Sequence, residues 1–229
     1  MLMNTHRPAK PAAAHAAPGG VVTPDKDAIA LLEPFERIGL ARIHVVADAP
    51  AAAAALQGLR AEPVLGFDTE SRPTFHKGEA SDGPHIVQLA TLERAWIFQL
   101  HDPASRTAAA SLLADGRVLK VGFGLGDDRK RIASKLGVDA QGVIDLNAVF
   151  RQQGYRKEIG VRAAVAALFQ RRFLKSGKAA TSNWANQSLT DAQLLYAAND
   201  AWAALRVHLA LAGLAAATGD DDGGRADTR

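Results

Sequence analysis

The chain has 229 residues, 48% hydrophobic and 22% charged, enough for one sizeable α/β core. It contains no cysteine, which excludes disulfides and thiolate zinc sites and frees the fold from any need for an oxidising compartment; a cytoplasmic protein is expected. No apolar run reaches the roughly 18 residues of a membrane span, Met1 to Gly20 lacks the apolar core of a secretory signal, and a net charge of +3 with a pI near 9.3 leans toward an anionic partner.

In chain order, residues 1–24 read as a disordered, low-complexity arm rich in Ala, Pro and His. Ile29, Leu32, Phe35 and Ile38 recur at helical spacing and predict a helix over 25–38, made imperfect by Pro34. A short strand over 42–46 follows, then an Ala-rich helix over 49–59 opened by Asp48 as a cap and Pro50 in its first turn. Val64 to Glu70 reads as a buried strand, and 71–84 as a polar loop of functional length. Strands over 85–90 and 95–100, joined by a tight turn at Thr91 to Arg94, complete a meander with 64–67. Then come a helix over 103–113, a strand over 118–121, a helix over 128–136 stopped by Gly137, and a short strand over 142–144. Asp145 caps a helix to about Gln152, and further helices cover 160–169 and 190–214. One domain, 25–217, is expected, with a disordered acidic tail over 218–229.

Three stretches bear on chemistry. In Val64-Leu-Gly-Phe-Asp-Thr-Glu70 the two acids lie two residues apart, so they share a strand face. Held that close they repel, and a hard divalent cation between them relieves the cost; a strand ending in solvated acids is the plain alternative. In Val121-Gly-Phe-Gly-Leu-Gly-Asp-Asp128 a strand passes through glycines into a helix. A dinucleotide fingerprint would need a third glycine where Asp127 stands, and an acid there would repel a pyrophosphate. The glycines fit better as a close-packed strand-to-helix turn projecting Asp127 or Asp128, with helix capping by Asp127 as the plain alternative. In the last helix Tyr196 and Asp200 stand four apart on one face, among Ala197, Ala198, Ala201 and Ala203, and a mid-helix Asp needs a reason to be there.

Asp-x-Glu on a strand, Gly-x-Gly-x-x-x-Asp and Tyr-x-x-x-Asp on a helix, in that order, resemble the three motifs of the DEDD superfamily of 3′–5′ exonucleases. The branch resembled is the one with Tyr in the third motif (DEDDy), and the likeness is to ribonuclease D and the exonuclease domain of the Werner helicase. It covers about 42–214 and takes in Val87-Gln-Leu-Ala90, Ile144-Asp-Leu146, Asn183-Trp184 and Leu189-Thr190. Leu195 occupies the position of the other branch's His. The resemblance implies an α/β, RNase H-like mixed sheet flanked by helices in a single domain. It implies two divalent ions, Mg2+ or Mn2+, held by Asp68, Glu70, Asp128 and Asp200, with Tyr196 orienting the attacking water. Asp127 is the runner-up to Asp128. The expected activity is hydrolysis of single-stranded RNA or DNA from the 3′ end to nucleoside 5′-monophosphates.

A run of cations supports an anionic, nucleic-acid partner. Arg151, Arg156, Lys157, Arg162, Arg171, Arg172, Lys175 and Lys178 are set against the single acid Glu158, and Ser176 and Gly177 predict a mobile loop there. Arg171, Arg172 and Lys175 are the candidate substrate contacts in this run. Phe75 and Phe123 could stack on terminal bases, and His76 with Lys77 could touch a phosphate. His6 and His15 lie in the arm, while His44, His85, His101 and His208 share no ligand spacing. Two other readings are an exonuclease-like fold that binds nucleic acid without cutting it, and a nucleotide-cofactor enzyme built on Gly122 to Gly126.

Overall fold

Six strands form one mixed sheet at the centre of a computed structural model that describes residues 23–74, 81–155 and 157–219. Phe75, His76, Lys77, Arg156 and the greater part of the arm and tail lie outside the described residues. The strands are β1 (Ile43–Val46), β2 (Val64–Glu70), β3 (Ile86–Ala90), β4 (Ala95–Gln99), β5 (Leu119–Gly122) and β6 (Val143–Asp145). They lie in the order β1-β4-β3-β2-β5-β6. β2, β3 and β4 are the expected antiparallel meander, while β1 on β4, and β5 and β6 beyond β2, are parallel. This is the RNase H-like arrangement.

Alternation along the strands sends side chains into two cores. Leu65, Phe67, Val87, Leu89 and Phe98 pack against α2 (Ala49–Leu59), α3 (Pro103–Ala114) and α4 (Gly126–Leu136). Ile86, Ala90, Ala95 and Ile97 face α5 (Leu146–Gln152), α6 (Gly160–Phe169) and α8 (Asp191–Gly219). The remaining α-helices among the described residues are the short α1 (Lys26–Ala30) and α7 (Gly177–Ala180), and a 3-10 turn covers Leu40–Arg42.

Local chemistry explains the helix starts. Asp48, Asp102 and Asp145 each accept a backbone N–H of the first turn, with prolines at the N-termini of α2 and α3. α8 opens on a reciprocal box: Thr190 N–H donates to Gln193 Oε1 at 3.0 Å, and Gln193 N–H to Thr190 Oγ1 at 3.4 Å.

Two expectations are corrected. The helix predicted over 25–38 stops at Ala30. Pro34 has no N–H to donate and its ring would meet the carbonyl four residues back. Residues 33–35 instead run extended beside Arg172, whose N–H donates to Glu33 O at 2.8 Å and whose carbonyl accepts from Phe35 N at 2.9 Å. The loop predicted at Ser176 and Gly177 is a helical turn, α7, with the Ser176 hydroxyl accepting from Ala179 N at 3.3 Å.

Lys120 on β5 is fully buried. Its ammonium donates to the carbonyls of Leu112 (3.3 Å), Asp115 (2.8 Å) and Val118 (2.8 Å), closing the C-terminal end of α3. Burial pushes its pKa down to about 8. Lys120→Met leaves those carbonyls short of a donor, so urea denaturation should show a loss of about 2–3 kcal/mol. Divalent-ion binding should be unchanged.

Candidate metal centre

The site depends on how closely one helix approaches one strand. A Cβ on Gly66 would lie 1.9 Å from the carbonyl oxygen of Ala201, so the backbones of β2 and α8 touch there. The stripe of Ala197, Ala198, Ala201 and Ala204, all buried, lets α8 lie that low. Gly66, Asp68 and Glu70 share the face of β2 that meets α8, and Asp200 adjoins the contact.

As a result, carboxylate oxygens of Asp68, Glu70 and Asp200 lie within 4.8 Å of one another. Asp200 is only 4% exposed, and neither of its oxygens accepts a well-aligned hydrogen bond. Burial first, and then the neighbouring acids, raise the carboxyl pKa values of Asp68 and Glu70, Glu70 to about 9. Burial also raises that of Asp200, against the pull of Lys175. An all-oxygen, half-dry set of acids that ionise together only with a counter-charge among them fits a hard divalent cation.

The charges have a consequence for stability. Between Glu70's ordinary value of 4.5 and about 9, the folded chain without a metal keeps a proton that the unfolded chain releases. Stability in chelator should therefore fall as pH rises from 5 to 9, and Glu70→Gln should flatten the fall; thermal melts at fixed ionic strength read both. Lys175, whose own pKa is raised by Asp200 against the effect of burial, stays charged throughout that window.

The second motif is held from two sides. Gly122 brings β5 against β2, where a Cβ would sit 2.3 Å from Phe67 O, and Gly124 takes a left-handed φ of 67°. Asp145 caps α5 and also clamps this turn, accepting from Gly124 N and Leu125 N, each at 3.1 Å. α4 then starts with Leu125, not Asp127, at its cap position. Asp127 is exposed and 3.4 Å from Lys130, whereas Asp128 turns toward β2 and accepts the Thr69 hydroxyl at 2.5 Å. Asp128 stands outside the three-carboxylate group, yet it lies near enough for its charge to raise the Asp68 pKa.

On the other flank Lys175 forms an ion pair with Asp200 at 2.5 Å and lies 4.7 Å from the centre of the Tyr196 ring. The Tyr196 phenol is pushed up to about 12, by burial first and then by Asp200, so it is protonated at neutral pH. It borders a cleft of about 190 Å³ walled by Phe35, Arg37, Phe173 and Leu174.

The other sequence candidates are dispersed. Arg172 is tied to the N-terminal segment, its guanidinium donating to Ala30 O at 2.8 Å. Arg171 is exposed and donates to its neighbour's carbonyl. Arg151, Lys157 and Lys178 are exposed, and Arg162 donates to Lys175 O at 2.8 Å. Phe123 packs on Phe150, with ring centres 6.3 Å apart.

Several residues at the site were missed from sequence. Thr69 was legible as the middle of Asp-Thr-Glu. Gln88, a polar residue in an apolar strand, pairs in register with Asp68 and is fully buried with its amide unpartnered. A second cleft, lined by His85, His101, Arg106, Lys135 and Trp184, opens beside Glu70, whose carbonyl accepts from His85 N at 2.8 Å. Its members lie far apart in sequence, so no local signal marks them.

The chain resembles known proteins on the same terms. Residues 43–214 match the family described as 3′-5′ exonuclease. A 3′-5′ exonuclease of Arabidopsis thaliana is 30% identical over 152 residues, 64% of this chain and 52% of that protein. The bifunctional 3′-5′ exonuclease/ATP-dependent helicase WRN of Mus musculus is 27% identical over 154 residues, 66% of this chain and 11% of that protein. The chain thus spans about half the length of the first relative and a small part of the second. Trypanosoma brucei RNase D, solved with RNA U12, superposes with a TM-score of 0.66 at 21% identity, covering 75% of this chain and 62% of that one. Because the family match runs from β1 well into α8 and takes in every strand of the sheet, the chain belongs to the 3′-5′ exonuclease family.

Proposed function

We propose that this chain is a metal-dependent 3′–5′ exonuclease of the Tyr-bearing DEDD branch, removing nucleoside 5′-monophosphates from the 3′ end of single-stranded RNA or DNA. The observation that carries the reading is the convergence of Asp68, Glu70 and Asp200, drawn from a strand and a distant helix, within 4.8 Å. Those three would hold one Mg2+ or Mn2+, and Asp68 with Asp128 a second. Bound there, such ions supply Lewis acidity toward the scissile phosphate and activate water near neutral pH.

The chain's own groups do the rest. Tyr196, protonated and beside Asp200, orients water without taking its proton. Thr69 fixes Asp128 through its hydroxyl, and Asp145 fixes the turn before it. Lys175 beside Asp200, with Arg106 and Lys135 of the second cleft, would give the strand's phosphates cationic partners. Trypanosoma brucei RNase D was solved in complex with RNA U12, which supports RNA as a ligand class; removal of nucleotides from a 3′ end itself calls for a single strand threaded into the site.

The test is product analysis on matched 3′- and 5′-labelled RNA and DNA with Mg2+, Mn2+ or chelator. Release of labelled mononucleotide from the 3′ end, progressive shortening of the 5′-labelled strand and arrest by chelator are expected. Binding without metal-dependent shortening would make the chain a binding protein on an exonuclease fold.

A further inference from the structure

Lys175 is aimed. Its carbonyl accepts from Arg162 at 2.8 Å, Phe173 before it is buried in the core, and Ser176 after it caps α7. The backbone is therefore pinned on both sides, while the flexible four-carbon stem carries the ammonium past the Tyr196 ring to Asp200 Oδ2. Its charge is also felt by Asp68 and Glu70. Asp200 is one of the three acids that would hold an ion, and a Mg2+ ion binds carboxylate oxygen at about 2.1 Å. With Nζ 2.5 Å from Asp200 Oδ2, an ion that took this oxygen would sit no more than about 4.6 Å from the ammonium in a poorly hydrated site.

Resting on the exonuclease reading, we propose that Lys175 is a built-in competitor for the metal position. Its ammonium balances the carboxylates and must swing away from Asp200 before a divalent ion takes that oxygen. The long stem permits the swing. A phosphate of the incoming strand offers the displaced ammonium a new anionic partner, so strand binding and ion loading assist each other. Lys175 acts through Asp200, as a positioning residue.

Mn2+ is titrated into the full chain without nucleic acid, following free ion by electron paramagnetic resonance, for wild type, Lys175→Met and Lys175→Arg. Circular dichroism checks that each variant is folded. Lys175→Met should bind its first ion at least about tenfold more tightly, because a like charge has gone. Lys175→Arg, which keeps the charge, should stay near wild type. Unchanged affinity in Lys175→Met would make Lys175 a substrate contact alone, and weaker affinity would make it a brace; either overturns the competition. Absence of Mn2+ binding in wild type and Lys175→Met alike would overturn the metal site itself.

Discussion

Asp68→Asn and Asp200→Asn each lower exonuclease turnover on the order of 1,000-fold or more, while metal-free Asp68→Asn, which leaves the Lys175–Asp200 pair in place, melts no lower than wild type. The first effect follows from the donor set. Three carboxylates share one ion position, and losing one charge removes several kcal/mol of charge stabilisation from the reacting phosphate, at about 1.4 kcal/mol per tenfold in rate. The second follows from burial. Burial first, and then the neighbouring acids, hold the pKa values of Asp68 and Glu70 up, so an uncharged amide at Asp68 removes a carboxylate that is costly to ionise in the half-dry site. A residue kept for packing alone would show the reverse pairing, lower stability with activity in proportion. Turnover on a labelled oligonucleotide, and melts in chelator, measure the two effects separately.

Gly66→Ala costs about 3 kcal/mol of stability and on the order of 100-fold in activity, although no substrate-facing atom is removed. Local propensity argues the other way, since alanine for a mid-strand glycine should gain roughly 0.5–1 kcal/mol. The new methyl would meet Ala201 O at 1.9 Å, its carbonyl carbon at 2.8 Å and Leu205 Cβ at 3.1 Å, all on one helix. Neither backbone can yield without the strand and helix parting. Asp200, adjacent to Ala201, then leaves the group it forms with Asp68 and Glu70, and a misplacement near 1 Å is enough for a loss of that size. Gly213→Ala is the control. It lies on the same helix with nothing within 4 Å of its Cβ position, and should be neutral or stabilising.

Much of this site was legible in the sequence because its logic is local. A period of two puts Asp68 and Glu70 on one face, and a period near four puts Tyr196 with Asp200. The glycines from 122 to 126 announce a close-packed turn, and Asp145 the start of the helix after β6; that Asp145 also clamps the glycine turn shows only in the fold. What escaped reading depends on contacts across the fold. Gly66 looked like any small residue in an apolar strand until α8 lay against it. Lys175 was one cation in a run of eight, and only the tertiary contact separates it from Arg172, which braces the N-terminal segment. Nothing in the strand over 118–121 marks Lys120 as the buried clasp it is. The apolar spacing through Pro34 predicts a helix that continues past it, but proline brings no N–H, and the helix ends four residues earlier, at Ala30.

A crystal of the full chain soaked in Mn2+ shows whether the distant acids converge to grip a cation. An anomalous peak bounded by Asp68, Glu70 and Asp200 is expected, and it disappears in Asp68→Asn. Ordered carboxylates with no peak among them at saturating Mn2+, or Mn2+ bound only elsewhere, would contradict it.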